Sequence, residues 1–438
     1  MKDKISIVGA GLVGSLIAVM LKKKGFSVQV FEKREDPRNS LVAQGRSINL
    51  ALSHRGIQPL KLAGVYDTIA PFLIPMNGRM MHDQSGALTY QSYGKEGQFI
   101  NSVSRAQLNE LLINSAEESG VEVYFNHKCT DIDFEKNNIS FENGVSVESD
   151  LIIGTDGAFS ALRKKLQFTD RFNFSQHYIE HGYKELSIKP INGEFGLEQN
   201  YLHIWPRGNF MLIALPNNDK TFTCTLFFPF EGSPSFAQLS SKTEVDSFFD
   251  QFFADAKALI PDLSDQFFEN PTSSLITTKC EPWNKGRSIL LGDAAHAIVP
   301  FYGQGMNSGF EDVRLFIEMS EKMNWDWDSI LPSYSQQRKK DADAISELAL
   351  MNFIEMRDHV GDPIFLKRKK LEAKIQEQFP NEWIPLYSMV TFSDIPYSEA
   401  LRLGKIQKQV MDEVLQSETE EIDYNKIIER FNALKKVG

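Results

Sequence analysis

Apolar residues along the first thirty positions change period twice. Ile5-Ser6-Ile7-Val8 is a short apolar run of strand type, and beyond Gly9-Ala10-Gly11-Leu12-Val13-Gly14 the apolar residues Leu16, Ile17, Val19 and Met20 fall at helical spacing. The pattern predicts a strand, a tight turn and a helix. Gly25 is placed to stop that helix as its C′ residue. In Phe26-Ser27-Val28-Gln29-Val30 the apolar residues occupy every second position, which predicts a second strand with Glu32 at its end.

Asp150-Leu151-Ile152-Ile153-Gly154-Thr155-Asp156-Gly157 and Ser288-Ile289-Leu290-Leu291-Gly292-Asp293 repeat the strand-then-loop character, and both are predicted to return to the sheet begun by Ile5. Between them, Tyr201 to Phe230 reads as strands broken by turn residues at Pro206-Arg207-Gly208-Asn209 and Pro216-Asn217-Asn218-Asp219, hence a separate antiparallel sheet. From Asn307 the period is helical, through Tyr334, Ile345, Leu348, Met351 and Ile354, with a further helical region after Tyr397. There are no internal repeats.

Composition narrows the partners. The chain has 438 residues, 42% of them apolar, enough for two or three domains of roughly 150 residues. Its net charge is −11 with Lys and Arg scattered, which speaks against nucleic acid and for a small-molecule site. Cys129, Cys224 and Cys280 have neither the spacing of a metal site nor that of a disulfide framework. The apolar stretch Ile5–Leu21 is broken by three glycines and reads as fold rather than leader, and no run spans a bilayer or ends in a lipidation box. A soluble protein of a reducing, cytoplasmic compartment without a membrane anchor is expected.

The first glycine run carries the clearest chemistry. Such glycines allow a tight turn, close approach of backbone to a pyrophosphate and close helix–strand packing, and the helix N-terminus offers free N–H groups to an anion. Glu32 follows Gly14 by eighteen positions and suits a ribose hydroxyl. Dinucleotide binding follows; NAD(P) and FAD stay open at this point.

Gly154-Thr155-Asp156-Gly157-Ala158-Phe159-Ser160-Ala161-Leu162-Arg163 and Gly292-Asp293-Ala294-Ala295-His296, in this order after the first turn, resemble the paired signatures of class A FAD-dependent aromatic hydroxylases. The resemblance implies non-covalent FAD held by Gly9, Gly11, Leu12, Val13, Gly14, Glu32, Arg34, Ala51, Arg105, Asp156, Asp293, Gly305, Met306 and Asn307. Asp293 would contact the ribityl chain, Arg105 would lie near the pyrophosphate, and Asp156-Gly157 would serve both FAD and NAD(P)H. Phe301-Tyr302-Gly303-Gln304-Gly305-Met306-Asn307 would set the positive end of a helix at the flavin pyrimidine edge. His296 is expected to be architectural. Trp325-Asp326-Trp327 superficially resembles a halogenase signature, but it follows the Gly292-Asp293 motif and Leu331 separates Ile330 from Pro332, so a helix start is expected.

Gln44-Gly45-Arg46-Ser47-Ile48-Asn49-Leu50-Ala51-Leu52, His181-Gly182-Tyr183-Lys184-Glu185-Leu186, Leu202-His203-Ile204-Trp205-Pro206 and Tyr387-Ser388-Met389-Val390-Thr391-Phe392 are similar to the kynurenine-hydroxylating branch of that class, over about residues 4 to 410. By that resemblance Arg79, Tyr93 and Asn352 would bind the α-carboxylate of L-kynurenine. Met356 and Tyr387 would complete the amino-acid end, and Ile213, Leu215, Phe227 and Phe301 would pack around the aryl ring. Tyr302 stands where some members carry His, which implies an adjusted pocket.

The implied reaction uses NADPH and O₂, with a flavin 4a-hydroperoxide giving an oxygen atom to the ring carbon ortho to the amine; no side chain is assigned as catalytic and no metal is expected. The implied fold is α/β, a Rossmann-like FAD-binding domain with an antiparallel β-sheet substrate domain and C-terminal helices. Its FAD-binding domain would take residues 1–180, with a substrate-contacting insert around 75–100, and the return segment 281–325. The substrate sheet would take 181–280, and a helical region at 326–438 would close the pocket. A hydroxylase for another aromatic acid and a non-catalytic flavin-binding protein are the alternatives. Oligomeric state is not legible.

Overall fold

Ile5, Ile7, Val28, Val30 and Leu151 to Ile153 are all buried, as expected of strands covered on both faces by helices. The computed structural model, which describes residues 3–39, 49–94, 97–355, 363–416 and 422–437, places them in a six-stranded sheet. Its order is Asn284–Lys285, Ser288–Leu290, Leu151–Gly154, Lys4–Val8, Ser27–Phe31 and Glu122–Tyr124, parallel except for the first pair. The two distant strand-then-loop segments thus do join the sheet begun by Ile5.

Helix Leu12–Lys23 buries Leu16, Ile17, Val19, Met20 and Leu21, each contributing about 1.5–3 kcal/mol relative to exposure. It ends as predicted: Gly25 has φ +86° and its N–H reaches Lys22 O at 2.8 Å. At the other end Gly9 has φ +107°, and a Cβ there would lie 2.7 Å from Thr155 O, so this position demands glycine twice over.

The second sheet has seven strands: Thr272–Glu281, Asn173–Ile188, Phe222–Pro229, Met211–Pro216, Leu202–Pro206, Gly78–His82 and Leu88–Ser92. All neighbours are antiparallel except Leu202–Pro206 with Gly78–His82. The predicted turns close the hairpins, with Arg207 N–H on Phe210 O at 2.9 Å and Asn217 N–H on Thr221 O at 2.8 Å. Alternation divides the sheet into two faces. Leu212 and Ala214 join a phenylalanine-rich core with Phe248, Phe249 and Phe253, while Met211, Ile213 and Leu215 point to the opposite side.

C-terminal to the central sheet run the helices Gly305–Lys322, Trp327–Ile354, Pro363–Gln378, Leu386–Thr391, Tyr397–Gln416 and Tyr424–Val437. Asp326 is the N-cap that starts the second of these, so the tryptophan-rich segment is a helix start. Its Tyr334, Ile345 and Leu348 are buried, and Met351 and Ile354 in the last turn are exposed. No helix among the described residues is long and apolar enough to cross a membrane.

Candidate active site

Three glycine turns meet above the C-terminal ends of the central strands, the place where open α/β sheets bind ligands. Thr155 Oγ1 donates to Gly9 O at 2.9 Å, joining the first turn to the second. Val13 fills the space beside Gly292 and Gly309, where a Cβ would come within 3.0 and 2.8 Å of its methyls, so the third turn closes on the same helix start. Arg163 ties the second and third turns, donating to Ala158 O and, at 2.7 Å, to Ala294 O.

This junction has the shape a dinucleotide needs. Gly11 is the helix N-cap, and a Cβ added there would meet nothing within 4 Å, so the turn presents bare backbone to open space. The N–H groups of Leu12 and Val13 lie in the first turn, where no intrahelical acceptor exists. The Glu32 carboxylate is steered to the turn by N–H donors from Ala10 and Arg34, both at 3.0 Å. Asp293 is exposed at the start of helix Asp293–His296. Arg105 is likewise exposed, at the start of helix Arg105–Glu118.

Two of the expected cofactor residues are turned to internal duties. Asn307 is fully buried and accepts from Ser53 N–H at 2.9 Å, while its amide donates to Ala51 O and Gly303 O, both at 2.8 Å. It pins the Ala51 strand end to the start of helix Gly305–Lys322. Asp156 accepts from Ala161 N–H at 2.6 Å, and its second oxygen is buried without a partner among the described residues. Burial pushes this carboxyl up.

Beneath the third turn lies a row of buried charges. Asp312 accepts from Gly292 N–H at 2.9 Å, contacts His296 Nε2 at 2.6 Å and pairs with Arg338 Nε at 2.7 Å. Arg338 also pairs with Glu311 at 2.8 Å, and Glu311 with Arg55 at 2.6 Å. Arg55 in turn donates to the carbonyls of Val390, Met389 and Ile395. His296, stacked on Trp283, is thereby a structural link of the Asp293 turn.

On the face of the second sheet opposite the phenylalanine-rich core Arg79 is flanked by rings. Its guanidinium lies 4.7 Å from the centroid of Tyr387 and 5.4 Å from that of Tyr93. Burial works against its charge, and the phenols of Tyr387 and Tyr93 more than offset this, so it stays protonated. Tyr93, Tyr387 and Tyr302 form one stack with centroids 5.5 and 5.6 Å apart. The Tyr93 hydroxyl is buried and has no hydrogen-bond partner among the described residues. Burial holds the Tyr93 and Tyr302 hydroxyls well above their usual range, hence neutral and able to donate.

Apolar side chains Ile213, Leu215, Phe227 and Phe301 pack in the clusters beside these rings, with Phe227 and Phe301 centroids 4.9 Å apart. Asn352 donates to Phe301 O at 2.7 Å, which fixes the wall. Ala51 packs in the same apolar cluster as Leu215, Tyr93 and Tyr387, so the glycine turns and the Arg79 cluster share a boundary. Met356 and Gln44 to Ile48 lie outside the described residues.

Sequence reasoning missed several members. Phe353 stacks on Phe301 at 4.2 Å and is braced edge-on by His181 at 5.0 Å, which gives the His181-Gly182 motif a place in the wall. Phe392 packs edge-on against Tyr387. Phe353 adjoins Asn352, and Phe392 closes the quoted Tyr387–Phe392 stretch, so position beside or within a recognised segment was the available signal.

Three glycine turns at the dinucleotide end of a parallel sheet, beside a packed aromatic cluster around Arg79, are the arrangement of a flavin-dependent hydroxylase of the aromatic class. Comparisons agree: the family model described as "FAD binding domain" matches residues 2–349. The chain is 49% identical over 425 residues to a kynurenine 3-monooxygenase of Christiangramia forsetii, covering 94% of each, and 45% identical over 422 residues to that of Sus scrofa, covering 94% of this chain and 89% of that one. Among solved structures, Klebsiella pneumoniae HpxO complexed with FAD and uric acid aligns with a TM-score of 0.69 at 22% identity over 86% of this chain and 95% of that one, a likeness of fold. The chain belongs to the kynurenine 3-monooxygenase family of FAD-binding proteins.

Proposed function

We propose that the protein is an FAD-dependent monooxygenase that converts L-kynurenine to 3-hydroxy-L-kynurenine with NADPH and O₂. The observation that carries the substrate is the Arg79 guanidinium set beside the rings of Tyr93 and Tyr387, with the apolar side chains of Ile213, Leu215, Phe227 and Phe301 packed in the adjoining clusters. An α-carboxylate there would accept from Arg79 and the Tyr93 hydroxyl, and the aryl ring would then lie among Ile213, Leu215, Phe227 and Phe301.

FAD, when bound, supplies the oxygen-transfer chemistry. The chain's residues do the rest. Gly9, Gly11, Leu12, Val13, Gly14, Glu32 and Asp293 would hold the cofactor, with Arg34, Ala51, Arg105, Asp156, Gly305, Met306 and Asn307 shaping its surroundings. Arg79 and Tyr93 orient the substrate, and the aromatic walls exclude water, which otherwise diverts reducing equivalents to hydrogen peroxide. The arylamine already donates electrons to its ring, so no general base is called for. Among the described residues the chain has no second dinucleotide turn for NADPH, in keeping with a co-substrate that visits.

The test is purification and turnover. The protein should be yellow, with FAD and not FMN released on denaturation, and NADPH oxidation should accelerate with L-kynurenine and not with salicylate or simple phenols. A colourless protein that cannot be reconstituted with FAD, or one that responds equally to phenols, contradicts this function.

A further inference from the structure

The strand that carries Arg79 enters the second sheet through its one parallel join, and that join is short: Leu202 faces Arg79, His203 faces Met80 and Ile204 faces Met81. Beneath it, on the face opposite Arg79 by strand alternation, the buried rings of His82 and His203, 121 residues apart in the chain, form a hydrogen-bonded row. Asp255 Oδ2 lies 2.8 Å from His82 Nδ1, His82 Nε2 lies 2.9 Å from His203 Nδ1, and His203 Nε2 lies 2.8 Å from Glu198 O. Trp205 Nε1 donates to the same carboxylate at 2.7 Å and its ring stacks on His82 with centroids 3.9 Å apart.

Each of the three bonds along the row needs a proton. A carbonyl only accepts, so His203 Nε2 carries one. The carboxylate accepts, so His82 Nδ1 carries another, and the bond between the rings requires a third. Two neutral imidazoles own two, so the pair holds one proton in excess, balanced by Asp255. Burial pushes the His203 imidazole down to about 4, and the row's excess proton is balanced at the end that touches the Asp255 carboxylate. Other charged groups at the row are Arg207, which follows the strand Leu202–Pro206 and donates to His82 O at 2.9 Å and Asp83 O at 3.0 Å, and Asp83 itself, which is exposed. Phe222 meets His203 edge-on and brings no charge.

We propose that His82, His203 and Asp255 are positioning residues for Arg79, a charged row that locks the join beneath it and makes affinity for the substrate carboxylate depend on one buried proton. Loss of that proton strips Asp255 of its counter-charge and breaks one bond of the row, loosening the strand at Arg79. The glycine turns stand on the other sheet and are untouched. The inference rests on the kynurenine reading above.

The test follows L-kynurenine binding to the holoenzyme through the flavin absorbance change, alongside KM and kcat, across pH. The substrate's own ionisation is common to all variants, so the step is read as a difference between them. In the wild type Kd should rise through one additional single-proton step as pH is raised. Asp255→Asn and His203→Leu should weaken binding about tenfold at neutral pH, remove that step, and leave FAD content and kcat within about twofold. His203→Gln, which can accept from His82 and donate to Glu198 O, should recover most of the affinity. Variants that match the wild type in Kd and pH profile overturn the positioning role, as does a loss of FAD and kcat with no selective effect on Kd. If the variants do not accumulate, a wild-type Kd without a step beyond free kynurenine's own titration overturns it. A wild-type holoenzyme that ignores L-kynurenine contradicts the functional reading itself.

Discussion

The guanidinium of Arg79 stands over the ring of Tyr387, 4.7 Å from its centroid, although one belongs to the second sheet and the other to the C-terminal helix Leu386–Thr391. The contact joins the second sheet to the C-terminal helices at the cluster proposed to take the substrate.

Arg79→Ala removes one partner of a partly desolvated charged pair, a loss of about 2–5 kcal/mol. Steady-state kinetics should show kcat/KM for L-kynurenine lowered by roughly 30-fold to several thousand-fold, with FAD content near wild type. Arg79→Lys should rescue only partly, since an ammonium cannot form the two-bond fork. Unchanged kinetics, or activity lost only through loss of FAD, refute the carboxylate role.

Tyr93→Phe keeps the stack with Tyr387 and deletes only the unpartnered hydroxyl. A hydrogen bond to a charged group contributes about 1.5–3 kcal/mol, so Kd for L-kynurenine should rise roughly 10- to 150-fold while the melting temperature of the ligand-free holoenzyme holds or rises slightly. A fall in melting temperature with no change in Kd would assign the hydroxyl to folding.

The strand, glycine turn and helix at the N-terminus were legible because their signals are local: Ile5 and Ile7 share a short run, Leu16 to Met20 keep a helical period, and Gly25 stops it. The three motifs that meet at the cofactor junction were legible by resemblance, and so was the Arg79, Tyr93 and Tyr387 group. What stayed hidden depends on pairings between distant segments. The parallel join of Gly78–His82 with Leu202–Pro206 leaves no mark in either stretch, so the His82–His203 row could not be read. Nor does the pattern around Asn307 tell whether its amide faces a flavin or, as found, Ala51, Gly303 and Ser53.

Gly11 separates cofactor binding from folding. A methyl group there meets no protein atom within 4 Å, so the melting temperature of apoprotein carrying Gly11→Ala should correspond to a stability within about 1 kcal/mol of wild type. It would occupy the space a pyrophosphate needs, and FAD titration should show affinity reduced at least about tenfold. Equal affinity for FAD would place the phosphates elsewhere.

Asp312 is held below its ordinary value of 3.8, because His296 and Arg338 outweigh the burial that acts to raise it. A carboxyl depressed in the folded state adds stability that is present above its unfolded value and is lost as pH falls through the folded one. Asp312→Asn leaves Arg338 under-compensated, at a cost of about 3–5 kcal/mol near neutral pH. Thermal melts should show the gap between variant and wild type narrowing below pH 3.8; a gap independent of pH contradicts the ionised assignment.

The most direct test of the central claim is the origin of the new oxygen atom. Holoenzyme supplied with NADPH, L-kynurenine and ¹⁸O₂ should yield 3-hydroxy-L-kynurenine carrying one ¹⁸O on the ring, close to one product per NADPH consumed. Absence of hydroxylated product, or a ring oxygen drawn from water, would contradict it.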